Sequence, residues 1–234
     1  MINIILNPWI LPTKIFSLKL NCPIEKIKID LKSLKNECEK VLLNQNLKKH
    51  PGDHSGGWGS IGLITYGGDP FNDLVNNELK LMPTKILDMC PSIKNMLDEI
   101  PGKKHRVRLM EVKPGTKVHW HYDNNETIDE LDFSKNVRLH MPIFTNKKVN
   151  MKICHENLNW EEGKLYYGDF SFPHCINNAS DLNRIHLVID VGINDNIINL
   201  LPKNFLEKRK FRLFAKKFSQ KIFNIFKKIN LIKN

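Results

Sequence analysis

The sequence predicts a mainly β protein, a jelly-roll-like sandwich of antiparallel strands with α-helices flanking it. From His105 onward, six or seven short strand-like segments follow one another at a spacing of roughly 8–15 residues, separated by turn residues. Helical periodicity is confined to residues 1–100 and 201–234. A chain of 234 residues is long enough for one such domain with an appendage.

The composition is that of a folded soluble protein, with 41% hydrophobic and 26% charged residues. The five cysteines are scattered and show no short paired spacing. This favours reduced thiols in a cytoplasmic protein over a disulfide framework or a zinc cluster. Prolines and polar residues interrupt the apolar segment Met1–Leu20, so we expect neither a signal peptide nor a membrane anchor there.

The N-terminal part predicts a packing element followed by the first strand of the sandwich. Apolar residues recur at helical spacing over Pro23–Leu43, which predicts a helix. The glycine-rich stretch His50–Pro70 contains a predicted strand, Trp58–Tyr66, whose flanking loops either bind a ligand or merely connect strands. A second helix is predicted at Lys85–Glu99, with Thr84 as its N-cap.

The rest of the body is predicted to be strands. An acidic loop, Asn124–Ser134, interrupts them after the histidine-containing segment His119–Asp123. The other predicted strands are Arg106–Val112, Asn136–Phe144, Val149–Cys154, Lys164–Tyr167, Phe172–Ile176 and Arg184–Val191.

The segment His119-Trp120-His121-Tyr122-Asp123 suggests a metal site. In an extended strand His121 and Asp123 point to the same side, roughly 7 Å apart. A second histidine, for which His174 is the obvious source, would complete one triangular face of an octahedral Fe(II) site and leave the opposite positions open. Ordinary polar residues near one another would give the same pattern, so the motif alone leaves both interpretations open.

Two strands alternate apolar and polar residues in an informative way. Arg138 and His140 share one side of their strand, and Arg184, His186 and Asp190 share one side of the last strand. Such a polar side is either solvated or lines a cavity. Arginine binds carboxylates through two parallel hydrogen bonds, so a cavity here would suit an acidic ligand.

The C-terminal tail carries almost all of the net charge of +11. The chain has 36 basic and 25 acidic residues, of which residues 201–234 contain 11 and one, so residues 1–200 are nearly neutral at +1. Either the tail lies in an anionic membrane interface through residues 203–234, or it docks on its own domain or a sister subunit; nucleic acid is the weaker interpretation. Its apolar residues at helical spacing are Phe211, Phe214, Phe218, Ile222, Ile225, Phe226 and Ile229.

Several short motifs, in their order and spacing, resemble one known family between Trp58 and Val191. That family is the aspartyl/asparaginyl β-hydroxylases, a branch of the Fe(II)/2-oxoglutarate dioxygenases. The motifs are Pro114-Gly115-Thr116, His121-Tyr122-Asp123, Arg138-Leu139-His140, Trp160-Glu161-Glu162-Gly163-Lys164, Gly168-Asp169, Pro173-His174 and Arg184.

The resemblance implies a double-stranded β-helix, the cupin-like jelly roll, over residues 56–192, between an N-terminal packing region (1–55) and a basic amphipathic helix (193–234). It implies that His121, Asp123 and His174 hold Fe(II). Arg184 would bind the distal carboxylate of 2-oxoglutarate, and Arg138 and His140 would contact the cosubstrate or a substrate carboxylate.

The implied reaction is hydroxylation of an amino acid of the Asp, Asn or Pro type, free or in a peptide. It consumes O2 and converts 2-oxoglutarate to succinate. Some members of the family have glycine in place of Asp123, and the carboxylate here argues against a halogenase. Trp58, Ser60 and Tyr122 are candidates for the substrate pocket.

Two alternatives stay open. A cupin-type site would use His119, His121, Glu126 and His174, because His119 and His121 share one side of the strand. A binding protein on the same fold, without catalysis, is the other; the intact set of three ligands counts against it.

Overall fold

Two antiparallel sheets build the body of the protein, and the predicted mainly β jelly roll with flanking helices is confirmed. The computed structural model describes residues 7–45, 47–49, 56–72, 74–76, 78–123 and 127–232. The large sheet has the order β1 (Asn21–Ile24), β10 (Leu165–Gly168), β7 (Asn136–Phe144), β12 (Arg184–Gly192), β5 (Lys104–Val112), β3 (Trp58–Tyr66) and β2 (Lys48–Lys49), with β4 (Leu81–Pro83) also paired to β3. The small sheet has the order β6 (Lys117–His121), β11 (His174–Asn178), β8 (Val149–Ile153) and β9 (Glu156–Asn157).

Helices cover the sheets from outside. Short 3-10 turns lie at Pro8–Ile10 and Ile128–Glu130. The α-helices are α1 (Leu11–Ile15), α2 (Leu31–Asn44), α3 (Lys85–Asp88), α4 (Pro91–Glu99), α5 (Asp195–Ile198), α6 (Lys203–Glu207) and α7 (Arg209–Lys228).

The alternation of the central strands places the functional side chains inside the sandwich. The apolar side of β7 and β12, which includes Leu139 and Leu187, packs into the main core beneath α2 and α4. The polar side turns toward the small sheet, where Arg184, His186 and Asp190 are at most 2% exposed. The polar side of β12 is therefore not solvated, and it faces the interior between the sheets.

Two predicted helices differ from those observed. The helix expected over Pro23–Leu43 is wrong in its first part: Asn21–Ile24 forms β1 at the edge of the large sheet, and α2 begins only at Leu31. Asp30 sets that start, because its side chain accepts a hydrogen bond from the Ser33 N–H at 3.2 Å. The helix expected over Lys85–Glu99 is two helices, since Pro91 begins a new one.

Other local features agree with the sequence. Thr84 caps α3, accepting a hydrogen bond from the Ile86 N–H at 3.3 Å. All five cysteines are free thiols. Within the described residues, no helix has the length and apolar character needed to cross a membrane.

The C-terminal helix α7 docks on the domain. Arg212, Ala215, Ser219 and Phe223 are buried along its inner side. Phe223 packs against Trp9 with ring centroids 5.2 Å apart. The inner side of α7 therefore packs on its own domain, as one of the two interpretations of the tail predicted.

Candidate active site

Pairing of two neighbouring strands brings three candidate metal ligands together. His121 ends β6 and His174 begins β11, and the two residues lie opposite each other in the antiparallel pair. Asp123 follows β6 by two residues, and its N–H donates a hydrogen bond to the Phe170 carbonyl at 2.9 Å. Among the described residues, these three form the group able to hold a metal ion, with one ligand atom from each lying within 4.8 Å of the others.

Hydrogen bonds to the backbone orient both imidazoles. The Nδ1 atom of His121 lies 2.8 Å from the His119 carbonyl oxygen, and Nδ1 of His174 lies 3.0 Å from the Phe172 carbonyl oxygen. A carbonyl can only accept, so in the neutral ring Nδ1 carries the proton and Nε2 keeps its lone pair. Both Nε2 atoms lie 3.9 Å from Oδ1 of Asp123, so the free lone pairs converge on one place.

The protonation states also suit a metal. Burial, together with the nearby His121, lowers the pKa of His174 to about 3, so this imidazole is neutral at physiological pH. Burial acts to raise the pKa of Asp123, but Arg138 and the two histidines outweigh it and hold the pKa below its ordinary value. His174 and Asp123 thus need no deprotonation to become ligands.

Arg138 binds the Asp123 carboxylate on the side opposite the two imidazoles. Its Nη1 donates to Oδ2 of Asp123, which leaves Oδ1 on the side of the imidazoles. Its Nε and Nη2 donate to Asp190 at 2.7 and 3.3 Å. The fully buried Asp190 also pairs with Arg106 and Arg108, at 3.1 and 3.4 Å. Arg138, expected to contact a cosubstrate or substrate, thus contacts the candidate ligand Asp123 and also lines the cavity.

Arg184 lies on the cavity wall as a buried cation. It is 2% exposed, and its Nη2 contacts the Met151 sulfur at 3.2 Å and Nδ1 of His186 at 2.9 Å. Nε has no hydrogen-bond partner, and no carboxylate in the described part of the chain pairs with this guanidinium. Burial lowers its pKa to about 9, so it remains protonated at neutral pH. Because burying an unpaired charge is costly, an anionic ligand beside Arg184 would be stabilising.

His140 offers two further unused hydrogen-bonding atoms. Its ring packs against Phe170 and Trp160, with centroids 4.6 and 5.4 Å away. Among the described residues, neither ring nitrogen has a hydrogen-bond partner. Burial, and then Arg184 and Arg138, hold the pKa of His140 well below its ordinary value, so the neutral ring presents one donor and one acceptor.

A single cavity between the sheets joins these groups. The sequence patterns identified the candidate metal ligands, Arg138 and Arg184 on its wall but missed the contributions of Arg108 and of apolar wall residues such as Phe170. The lining residues are Trp58, Arg108, Met110, His121, Asp123, Arg138, His140, Met151, Phe170, His174, Ile176 and Arg184.

The three candidate substrate residues lie in different places. Trp58 lines the cavity, with its ring 6.3 Å from that of His121. Ser60 is buried in β3 opposite Met110 but is not part of the lining. Tyr122 points away from the cavity: its ring packs on Phe223, and its hydroxyl lies 3.1 Å from Asn224 of α7.

The cupin-type set fits the structure less well. His119 is exposed and does not join the converging group. Glu126, the fourth member of that set, lies outside the described residues. Among the described residues, the candidate ligands that lie together are His121, Asp123 and His174.

Solved structures to which this chain is similar include several oxygenases. A prolyl-4-hydroxylase of Pseudomonas putida is 10% identical, with 80% of this chain and 99% of that chain covered and a TM-score of 0.43. A viral collagen prolyl hydroxylase of Paramecium bursaria Chlorella virus-1 is 9% identical, covering 74% and 96%, with a TM-score of 0.40. A non-heme α-ketoglutarate-dependent carbocyclase from nogalamycin biosynthesis is 10% identical, covering 82% and 90%, with a TM-score of 0.46.

Sequence comparison identifies the family directly. No curated protein matches this chain. The family model described as aspartyl/asparaginyl β-hydroxylase matches residues 23–192, which is most of the chain. The match confirms the predicted family and the prediction of an enzyme of the hydroxylating dioxygenase class. This chain therefore belongs to the aspartyl/asparaginyl β-hydroxylase family.

Proposed function

We propose that this enzyme uses Fe(II), 2-oxoglutarate and O2 to hydroxylate an amino acid, free or within a peptide. One observation carries the proposal: a single cavity contains both three candidate metal ligands and an arginine that lacks a carboxylate partner among the described residues. 2-Oxoglutarate has the matching chemistry, with an α-keto acid for the metal at one end and a free carboxylate at the other.

The residues present fit both groups. Nε2 of His121, Nε2 of His174 and Oδ1 of Asp123 would hold the iron, an arrangement of two histidines and one carboxylate that suits non-heme Fe(II). Arg184 and His140 have buried polar atoms whose hydrogen bonds a dicarboxylate would complete. When bound, the iron would activate O2, the oxidant, of which one atom enters succinate as 2-oxoglutarate loses CO2 and the other enters the hydroxylated product.

Each side chain then has a separate task. Arg184 binds the distal carboxylate and sets the depth of the cosubstrate in the cavity. His140, as a neutral imidazole, donates a hydrogen bond to the cosubstrate from its protonated ring nitrogen. Arg138 keeps one carboxylate oxygen of Asp123 turned toward the metal, with its own position fixed by Asp190. Phe170, with the other apolar residues of the wall, excludes water from the site.

The description of the family supports the proposed substrate class. The family description names aspartyl and asparaginyl side chains, and we extend the proposal to amino acids of the Asp, Asn or Pro type. Trp58 lies beside His121 on the cavity wall, and we propose that it contacts the substrate. Tyr122 is not, because its hydroxyl is engaged with α7.

The proposal is tested by anaerobic titration of the iron-loaded protein with 2-oxoglutarate and with pyruvate, following the weak visible charge-transfer band of a bound α-keto acid. Pyruvate retains the α-keto acid and lacks the distal carboxylate, so it serves as the matched ligand control. For Arg184→Leu we expect the dissociation constant of 2-oxoglutarate to rise about 100-fold, since a buried charge pair is lost. The dissociation constant of pyruvate should change less than about threefold.

The two ligands separate the possible failures. If the wild-type protein shows no band with either keto acid, the proposed cofactors are wrong. If Arg184→Leu weakens both ligands equally, Arg184 supports the fold and does not bind the distal carboxylate. Unfolding midpoints of the two proteins, measured without ligand, show whether the variant has kept its structure.

A further inference from the structure

The outer side of helix α7 combines exposed aromatic residues with lysines. The sequence predicted one apolar stripe of seven residues, and the structure divides it. Ile222 and Phe226 pack partly buried against the second hydrophobic core. The other five lie 46–55% exposed on the outer side of the helix, and they are Phe211, Phe214, Phe218, Ile225 and Ile229.

The inner side of α7 is fixed to the domain, so the outer side cannot be hidden by rotation of the helix. Arg212 is fully buried and binds Asp129 through two hydrogen bonds of 2.5 and 2.7 Å. The Lys216 ammonium group donates to Glu130 at 2.6 Å, and Gln220 donates to the Ser171 carbonyl at 2.7 Å. With these contacts in place, the five exposed apolar residues lie on the surface of the domain.

Four aromatic rings form a continuous surface cluster, which we call the phenylalanine patch: Phe16, Phe211, Phe214 and Phe218. The ring of Phe16, at the end of α1, lies 5.9 Å from that of Phe211 and 6.0 Å from that of Phe214, and the rings of Phe214 and Phe218 are 4.6 Å apart. Each ring is 38–51% exposed. Clustered exposed aromatic side chains of this kind mark an interaction surface.

A row of lysines borders the phenylalanine patch. Lys210, Lys217, Lys221 and Lys228 are all exposed, and their spacing of four and seven residues places them along one line of the helix. Three of them, Lys217, Lys221 and Lys228, line one shallow depression. The helix Arg209–Lys228 contains no acidic residue. A partner for this surface must therefore accept both apolar rings and several positive charges.

We infer that the phenylalanine patch and the lysine row bind an anionic membrane surface, with α7 lying in the plane of the interface. The rings would enter the boundary of the acyl chains while the lysines meet the anionic headgroups. A second copy of the chain is a poorer partner, because it would bring another basic helix against the first. Nucleic acid would satisfy the lysines and leave the phenylalanine patch without a function.

The test is co-sedimentation of the full-length protein with phosphatidylcholine vesicles that contain roughly one-third phosphatidylserine, compared with vesicles of phosphatidylcholine alone. We expect binding to the anionic vesicles that weakens as salt increases. The variant Lys217→Glu, Lys221→Glu should lower the partition coefficient at least about tenfold. The matched control Lys40→Glu, Lys94→Glu reverses two exposed lysines on other helices and should change it little.

The apolar part is tested in the same assay. Phe211→Ser, Phe214→Ser, Phe218→Ser should lower binding at least about tenfold, since each exposed ring would bury apolar area on entering the membrane. The control variant Leu43→Ser, Phe133→Ser, Leu182→Ser replaces three apolar residues in other parts of the protein that are at least as exposed as those of the phenylalanine patch. Unchanged unfolding midpoints would show that both triples remain folded.

Three outcomes would overturn the inference: equal binding to both kinds of vesicle, no binding to either, or the same loss with patch and control variants. A dimer in analytical ultracentrifugation that the patch variant dissociates would assign the surface to a second copy instead. The inference does not depend on the proposed reaction, because none of these measurements involves turnover.

Discussion

Replacement of Asp123 by alanine is expected to abolish stable iron binding, whereas replacement of His119 by alanine is expected to preserve it. Asp123 supplies the only carboxylate oxygen in the converging group of the described residues, 3.9 Å from both imidazole Nε2 atoms. Its loss should lower the affinity for Fe(II) by more than about 100-fold, since even loss of a residue that only orients a ligand costs up to this much. The measurement is bound iron after anaerobic reconstitution, followed by the 2-oxoglutarate band.

His119→Ala is the matched control, because it removes an imidazole from the same strand. The His119 side chain is exposed, and the residue contributes only its backbone carbonyl, which orients His121. The reverse outcome, with iron retained by Asp123→Ala and lost by His119→Ala, would favour the cupin-type set. Unfolding of Asp123→Ala in the absence of iron should also be measured, because the substitution leaves Arg138 with one carboxylate fewer.

Asp129→Ala is expected to destabilise the protein by about 3–5 kcal/mol, the largest effect on folding that we predict. The variant would leave the guanidinium of Arg212 buried without its carboxylate; among the described residues it would keep a hydrogen bond to the Phe205 carbonyl at 2.7 Å and a contact with the Phe205 ring at 3.7 Å. Urea unfolding of the protein at neutral pH measures the change in the free energy of unfolding.

Two control variants show whether the loss of stability comes from leaving a charge buried without its partner. Glu161→Ala removes a carboxylate that pairs with Lys164 at 3.0 Å on the surface, and it should cost less than about 1 kcal/mol. The double variant Asp129→Leu, Arg212→Met replaces both charges with apolar side chains and should recover much of the lost stability. A single Asp129→Ala variant as stable as Glu161→Ala would contradict the buried ion pair.

The alternation of apolar and polar side chains along β7 and β12 was predictable from the sequence, because successive residues of a strand point to opposite sides of the sheet. The amino-acid order alone therefore indicates that His140 and Arg184 lie on the polar sides of their strands. The end of a strand is harder to predict. Asp123 lies beyond β6, and it reaches the site because its N–H binds the Phe170 carbonyl, from a loop 47 residues away.

Tyr122 shows where reasoning from one segment fails. Its place next to Asp123 suggested the substrate pocket, but α7 offers Phe223 and Asn224 on the other side of the chain. Helix α7 shows a second limit: its seven apolar residues at helical spacing were compatible with a membrane interface or with docking on the domain, and docking through Arg212 leaves two of them partly buried and five exposed. Periodicity shows that a helix has an apolar side, and it does not show how much of that side the domain covers.

The sequence by itself determined the family, the jelly-roll class and the types of side chain available for chemistry, because motif order and strand alternation are local properties of the chain. Only the tertiary structure decided which carboxylate each arginine binds. With β12 between β7 and β5, Asp190 meets Arg108 and Arg138, while Arg184 reaches the cavity wall with no acidic partner among the described residues. The physical reason is that an ion pair depends on which strands become neighbours, and distant residues determine that pairing.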